Sequence, residues 1–386
     1  MADLRKAAAI VGIHEHPTRY APDKSELQIQ AESAIEALKD AGLEKKDVDA
    51  LYSSSMGMGI LGLADYLNLN PKNIDSTSVG GGSFEFHVSH AVNAIHAGRI
   101  NCAIITYGSV ARSQSVAIGT GGFRGVAPDP APDSFEVIYG TTTVGLYAMV
   151  AQRHMHKYGT TSEQLAEIAV TCRKHASYNP NAMFRDLIEV EDVLSSRMIS
   201  NPLHLMDCCV ISDGGGAVVV ASPEVARNAK KSPVWVLGMA EATAHQGAGL
   251  RDLTEIAAAQ TGRPALEMAG LTHSDVNMCM IYDSFTITVL TTLEDLGFCQ
   301  KGEGGDFVSG GRLQIGGALP INTDGGGLSS NHPGMRGIFL LLEATRQLRG
   351  ERDEVQVPDC KIALCHGTGG SLGARHSGGT IVLGRD

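Results

Sequence analysis

Three short segments carry side chains able to move a proton or hold negative charge. In YDSF, 282–285, an apolar strand pattern (MCMI) ends at a phenol and a carboxylate. Tyr282 can donate or accept a proton through its hydroxyl. It reads equally as a core tyrosine whose hydroxyl bonds to backbone, and Asp283 reads as the cap of the helix pattern that follows. In HPG, 332–334, His332 precedes Pro333 where the pattern predicts the first turn of a helix. A histidine there serves as oxyanion donor or general acid/base, or simply caps the helix as a buried polar residue. In CHGTGG, 365–370, the run KIALC predicts a strand and the glycines, Gly369 among them, a loop after it. Adjacent strand residues point to opposite faces, so only one of Cys365 and His366 is expected to face a cleft. Cys365 by itself is most simply a small buried hydrophobe.

The elements that must position these residues follow from periodicity. AAAIVGI, 7–13, and CAIITYG, 102–108, predict buried strands, as do GGGAVVVAS, 214–222, and PVWVLGMA, 233–240. ELQIQAESAIEALKDAGL, 26–43, and FEFHVSHAVNAIHAG, 84–98, have helical spacing and end at glycine. Strand, helix and strand in alternation predict an α/β chain with a mainly parallel sheet covered by helices. The stretch from about 112 to 200 is polar and turn-rich and predicts an excursion that shapes a cleft. There are 46 glycines among 386 residues, well above the average of roughly 7%. They cluster in GGGS, DGGG, DGGGLSS and GTGG beside apolar runs, which predicts tight turns where backbone approaches backbone or ligand.

Two of these clusters echo each other. Residues 76–98 and 322–350 both run from polar residues through glycines into a helix ending at glycine. Read as an internal duplication, this brings two helix N-termini to one cleft near a pseudo-twofold axis. Read as chance, it is two ordinary strand–turn–helix units.

Composition narrows the classes. The net charge of −11 and the lack of a basic run argue against a nucleic-acid partner. No apolar run reaches the length of a membrane span, and the start reads as a strand and not a signal peptide. Eight cysteines in a chain of this length predict reduced thiols and a cytoplasmic location. No Cys-x-x-Cys pair or His/Cys cluster at zinc spacing occurs, so no metal is expected.

Taken together, NTDGGGLSSNHPGMRG, SDGGGAVVVAS, YDSF and CHGTGG resemble, in order, four blocks of the thiolase superfamily, in its sterol-carrier-protein-type branch. The resemblance spans nearly the whole chain. It implies a thiolase fold of two duplicated αβαβα halves with mixed, mainly parallel sheets. The N-terminal half would cover 1–250 with the excursion, and the C-terminal half 251–386. It further implies a homodimer and a coenzyme A thioester as substrate, with no permanently bound cofactor. Some bacterial relatives assemble with a small zinc-ribbon and OB-fold partner, and that option carries over.

The sequence departs from the family at one position. Thiolases start the first-half helix with a nucleophilic cysteine; counting back from Gly98 puts that position at Gly81, with Ser83 on the family's serine, and 76–101 contains no cysteine. Without an acyl-enzyme, the chemistry left to such a pocket is enolate stabilisation. That suits retro-aldol cleavage of a β-hydroxyacyl-CoA, as in the thiolase-like steroid side-chain aldolases, which use a tyrosine where Tyr282 stands. His332 departs from that subgroup, which tends to carry tyrosine there. The expected roles are proton transfer for Tyr282, oxyanion or acid/base roles for His332 and His366, and oxyanion or substrate contacts from Gly81, Gly82, Ser83, Asp283 and Gly369. Two rivals stand beside the lyase: acyl transfer with Cys365 as nucleophile, and a non-catalytic acyl-CoA or lipid carrier or scaffold.

Overall fold

The computed structural model describes residues 4–54, 58–115, 142–245, 251–372 and 375–385. The strands are β1 (Ala9–Glu15), β2 (Ala50–Tyr52), β3 (Asn73–Asp75), β4 (Cys102–Ser109), β5 (Met198–Ser200), β6 (Leu203–His204), β7 (Gly214–Ala221), β8 (Val234–His245), β9 (Met278–Ile281), β10 (Ile362–Gly370) and β11 (Arg375–Gly384). The helices are α1 (Glu26–Ala41), α2 (Gly59–Leu67), α3 (Ser83–His96), α4 (Thr143–Tyr158), α5 (Ser162–Ser177), α6 (Val190–Ser195), α7 (Pro223–Arg227), α8 (Ala258–Ala269), α9 (Thr286–Leu296), α10 (Gly304–Val308) and α11 (Gly337–Arg349).

Nine strands join in the order β3-β2-β4-β7-β1-β8-β11-β10-β9. The order is nearly a palindrome about the β1–β8 junction, where only Ala9–Trp235 and Ile10–Val234 pair. On one side β7 runs against its neighbours, and on the other β11 does. The remaining strands of each side share one direction. This repeated pattern is what the echo of 76–98 in 322–350 leads one to expect.

Alternation of side chains along the strands divides the core into layers. Ile10, Ile105, Val218 and Val220 from one side, and Met278, Met280, Ala363 and Ile381 from the other, pack on a shared inner pair of helices, α3 and α11. The intervening residues, such as Val11, Ile104, Val219, Cys279 and Val382, face the outer layers, which include α1 and α8. Burial of both sheet faces explains why the strands read as continuous apolar runs. The inner helices are correspondingly buried nearly all round, polar side chains included: Phe84, Val88, Ala91 and Val92 on α3, and Ile338 through Leu342 on α11, are buried, and so are Glu85 and His87 on α3 and Glu343 and Gln347 on α11.

Two local expectations change. The glycines of 367–370 do not form a loop after a short strand; β10 runs through them to Gly370, paired along its length with β11. The helix after HPG begins only at Gly337, so His332 lies in the irregular segment before it. Within the 112–200 excursion, residues 116–141 lie outside the described residues. The rest is largely helical: α4, α5 and α6. The expected boundary at 250/251 also falls beside residues not described.

Candidate active site

The starts of α3 and α11 meet head to head. Gly337 N–H donates to the Gly81 carbonyl at 3.0 Å. In front of this contact lies a cavity of about 230 Å³ lined by Gly80, Gly81, Thr143, Tyr147, Cys209, Tyr282, Ser284, Phe285, His332, Gly334, Met335 and Thr368–Gly370. Both helix N-termini open on it, which favours negative charge there.

Tyr282 emerges directly after β9, and Asn322 holds that strand end. Its side chain accepts from Ile281 N–H and donates to Ile281 O, at 2.8 and 2.9 Å. The Tyr282 hydroxyl bonds to His332 Nε2 at 2.9 Å, with the two rings nearly perpendicular. The phenol is thus satisfied by an imidazole and not by backbone. Burial pushes the Tyr282 pKa well up and lowers that of His332 to about 3, so both are neutral near pH 7. His332 Nδ1 is buried without a partner, so the ring has hydrogen-bonding capacity in reserve.

The turn bearing His332 is fixed from several directions. Ser212, from the SDGGG block, accepts from His332 N–H at 3.1 Å, and the Tyr107 hydroxyl donates to Pro333 O at 2.6 Å. Arg336 is fully buried. It donates to Asp324 at 2.7 and 2.6 Å, to Asp283 at 3.2 Å and to the Asn331 side chain at 2.8 Å. Asp283 also accepts from Gly327 N–H at 2.7 Å and Leu328 N–H at 3.2 Å. Asp283 therefore locks the glycine turn 326–330 and does not cap α9, whose N-cap is Phe285. From outside, Arg173 on α5 donates to Ser329 at 2.9 Å, so the excursion braces the same turn.

Gly81 has a direct spatial reason to lack a side chain. A Cβ built there would overlap Cε2, Cζ and the hydroxyl of Tyr282, all closer than the 3.0 Å limit for real Cβ contacts. The Tyr282 ring fills the space a side chain at position 81 would need. Gly82 backs onto Gly367 O, and Ser83 closes the turn: its hydroxyl donates to Gly80 O at 2.6 Å. Of Gly81, Gly82 and Ser83, only Gly81 lines the cavity; Gly369 lines it too.

The side chains of His366 and Cys365 are not brought to those of Tyr282 and His332, although the His366 carbonyl accepts from Tyr282 N–H at 3.0 Å. The His366 ring faces α8. Its Nδ1 bonds to Thr380 Oγ1 at 2.8 Å, which in turn donates to Thr261 at 2.8 Å, and burial lowers its pKa to about 3. Cys365 faces the inner helices, where its thiol donates to Leu340 O at 3.5 Å and burial raises its pKa well up. Neither lines the cavity. The strand alternation is as expected, but both faces at this point of the sheet are covered. Cys209, Tyr147 and Arg336 were not singled out from sequence. The pattern DCC before SDGGG and a lone arginine four residues after His332 were the available signals.

Residues 240–385 match the family described as Thiolase C-terminal domain-like. The chain is 35% identical over 383 residues to an acetyl-CoA acetyltransferase of Methanothermobacter thermautotrophicus, covering 95% of this chain and 97% of that one. It is 36% identical to a steroid side-chain-cleaving aldolase of Thermomonospora curvata, covering 96% and 97%. Among solved structures, an Ltp2-ChsH2(DUF35) aldolase superposes with a TM-score of 0.88 at 34% identity, covering 99% of each chain.

Proposed function

The chain belongs to the thiolase superfamily, and from that premise we propose that it is a lyase, cleaving a β-hydroxyacyl-CoA by retro-aldol reaction to a carbonyl product and a shorter acyl-CoA. The observation that carries this reading is the overlap between position 81 and the Tyr282 ring. A thiolase-type acyl-enzyme needs a thiolate at the start of the first-half helix. Here that volume holds a phenol paired with an imidazole.

The pair supplies the proton steps. The Tyr282 oxygen takes the proton of the substrate β-hydroxyl while its own proton passes to His332 Nε2, 2.9 Å away. The Cα–Cβ bond breaks, its electrons move into the thioester as an enolate, and the β-carbon leaves as a carbonyl. The proton then returns to the α-carbon, so no co-reactant is consumed. Negative charge on the thioester oxygen is met by the backbone at the two helix starts. His366 and Cys365 act from behind the sheet as structural groups.

The relatives' names include both an acetyltransferase and an aldolase, so the reaction type is the point to test. Purified protein is incubated with a panel of β-hydroxyacyl-CoA esters and the products are identified by mass spectrometry. A carbonyl product with a shortened acyl-CoA is expected. Turnover of a β-ketoacyl-CoA with free CoA through a covalently acylated cysteine would replace this reading with acyl transfer.

The proposal extends to assembly and location. A homodimer is expected by light scattering. The aldolase structure is named for two components, so a small second subunit is expected to co-purify from the native host. All eight cysteines are free, and no helix among the described residues is long and apolar enough to cross a membrane; a cytoplasmic location suits both.

A further inference from the structure

Burial divides the lining of the active cavity into a mouth and a floor. Gly370 is exposed and Gly80, Gly334 and Met335 are half-buried, whereas Tyr147, Tyr282, Ser284 and Phe285 are buried. The hydrogen-bonded pair of Tyr282 and His332 belongs to the floor, so the reacting carbons of a substrate have to reach down to it. The coenzyme A arm is far longer than the cavity and leaves by the mouth. Whatever the β-carbon carries then shares the inner space with the thioester.

That space is small, and one of its walls is aromatic. The cavity measures about 230 Å³, and a cavity of about 150 Å³ takes a single benzene ring. One ring beside the thioester fits; a fused polycycle does not. The wall is Tyr147, on α4, packed on Phe285 with ring centroids 4.4 Å apart. The Tyr147 hydroxyl donates to Gly370 O at 3.3 Å, so the ring spans from α4 to the end of β10 and is fixed at both ends. It cannot swing aside to lengthen the cavity without giving up the ring contact and the hydrogen bond. None of the described lining residues is an acid, a lysine or an arginine, and burial keeps His332 neutral. A charged group on the β-carbon would lie there unpaired.

We propose that Tyr147 sets the substrate class: β-hydroxyacyl-CoA esters whose β-carbon carries a compact, uncharged group of up to about one ring. The carbonyl product is then a correspondingly small aldehyde or ketone. Tyr282 and His332 supply the chemistry, and α4 of the excursion supplies the limit on size.

This inference rests on the lyase reading, and its test separates the two because it needs no turnover. Phenylpropanoyl-CoA and naphthylpropanoyl-CoA carry one and two rings on the β-carbon and, lacking a β-hydroxyl, cannot be cleaved. Their binding is measured by calorimetry on the wild type and on Tyr147→Phe, Tyr147→Leu and Tyr147→Ala, each shown to be folded by its unfolding transition. The wild type is expected to bind the one-ring ester at least about tenfold more tightly, the scale of an overpacked site. Tyr147→Phe keeps the ring and is expected to keep this ranking; the Leu and Ala variants are expected to lose or reverse it. Succinyl-CoA, with a carboxylate on the β-carbon, is expected to bind the wild type at least about tenfold more weakly than isocaproyl-CoA, its apolar near-isostere. Equal binding of the two ring systems by the wild type would overturn Tyr147 as the size limit. So would Leu and Ala variants that keep the ranking, or a Phe variant that loses it. Succinyl-CoA bound as tightly as isocaproyl-CoA would overturn the uncharged class. If the ranking holds but no β-hydroxyacyl-CoA is cleaved, the lyase reading falls and the size limit set by Tyr147 stands.

Discussion

The Tyr282 ring occupies the volume that a side chain at position 81 would need, and the chemistry at the residue scale follows from which of the two fills it. Removing the phenol oxygen while keeping the ring tests proton transfer alone. Tyr282→Phe is expected to lower kcat by about 10²–10⁴-fold with KM little changed, the usual span for a positioned acid or base. A variant with full kcat in steady-state assays would take Tyr282 out of the mechanism. Gly81→Cys restores the family's sulfur but drives it into the Tyr282 ring. Overpacking of this kind costs about 1–3 kcal/mol, so a lower urea midpoint and loss of cleavage are expected. Unchanged stability would mean that the ring yields easily and that the overlap decides little.

At the scale of elements, the active cavity depends on how the glycine turn and the short segment just before α11, which carries His332, are held. Arg336 holds them from the inside. It ties Asp283, just after β9, to Asp324 and Asn331 at either end of the glycine turn, all buried. Removing one partner of such a network leaves uncompensated charge in the interior. Arg336→Met is expected to destabilise the protein by about 3–5 kcal/mol in denaturant unfolding and to abolish turnover, because His332 loses its frame. Arg336→Lys is expected to rescue only part of the stability, since one ammonium cannot match the fork that meets Asp283, Asp324 and Asn331 together. Full rescue by lysine would show that charge alone, and not geometry, holds the turn.

For the whole molecule, the two-sided burial of the sheet and inner helices encloses many ionisable groups, and pH dependence follows from their shifts. His87, His175, His332, His366 and His376 are all held neutral by burial, with pKa values lowered from 6.5 to about 3 or 4. Below pH 6.5 the unfolded chain binds protons that the folded chain refuses. Stability is therefore lost as pH falls from about 6.5 toward 4, by at most roughly 1.4 kcal/mol per pH unit for each fully shifted histidine. Glu15, lowered to about 2 against the pull of its burial by Arg346 and Arg19, adds a loss below about pH 4.5. Glu85 acts with the opposite sign: its raised pKa costs stability as pH climbs above 4.5. A thermal-unfolding midpoint that drops steeply between pH 6.5 and 4 is the expected result. A flat profile there would mean that the buried histidines ionise in place with water or rearrangement to support them.

The sequence by itself determined most of the elements, the α/β class and the glycine at the family's cysteine position, and it offered the meeting of two helix starts as one reading of the echo between 76–98 and 322–350; that the Tyr282 ring fills the space at Gly81 was decided by the tertiary structure. The features read from sequence are local: period-two and helical apolar patterns, glycines that end helices, and an absent cysteine at a countable distance from Gly98. Tertiary structure decided which motif side chains share a cavity. His366 and Cys365 lie in a readable motif, but strand alternation sends one toward α8 and the other toward the inner helices, and packing closes both faces. Asp283 reads as a helix cap until Arg336, 53 residues away, claims it. Cys209 carries no local signal, since the cavity wall it belongs to is built by segments far apart in the chain. Contacts of that kind depend on how layers stack, which no pattern within a single segment specifies.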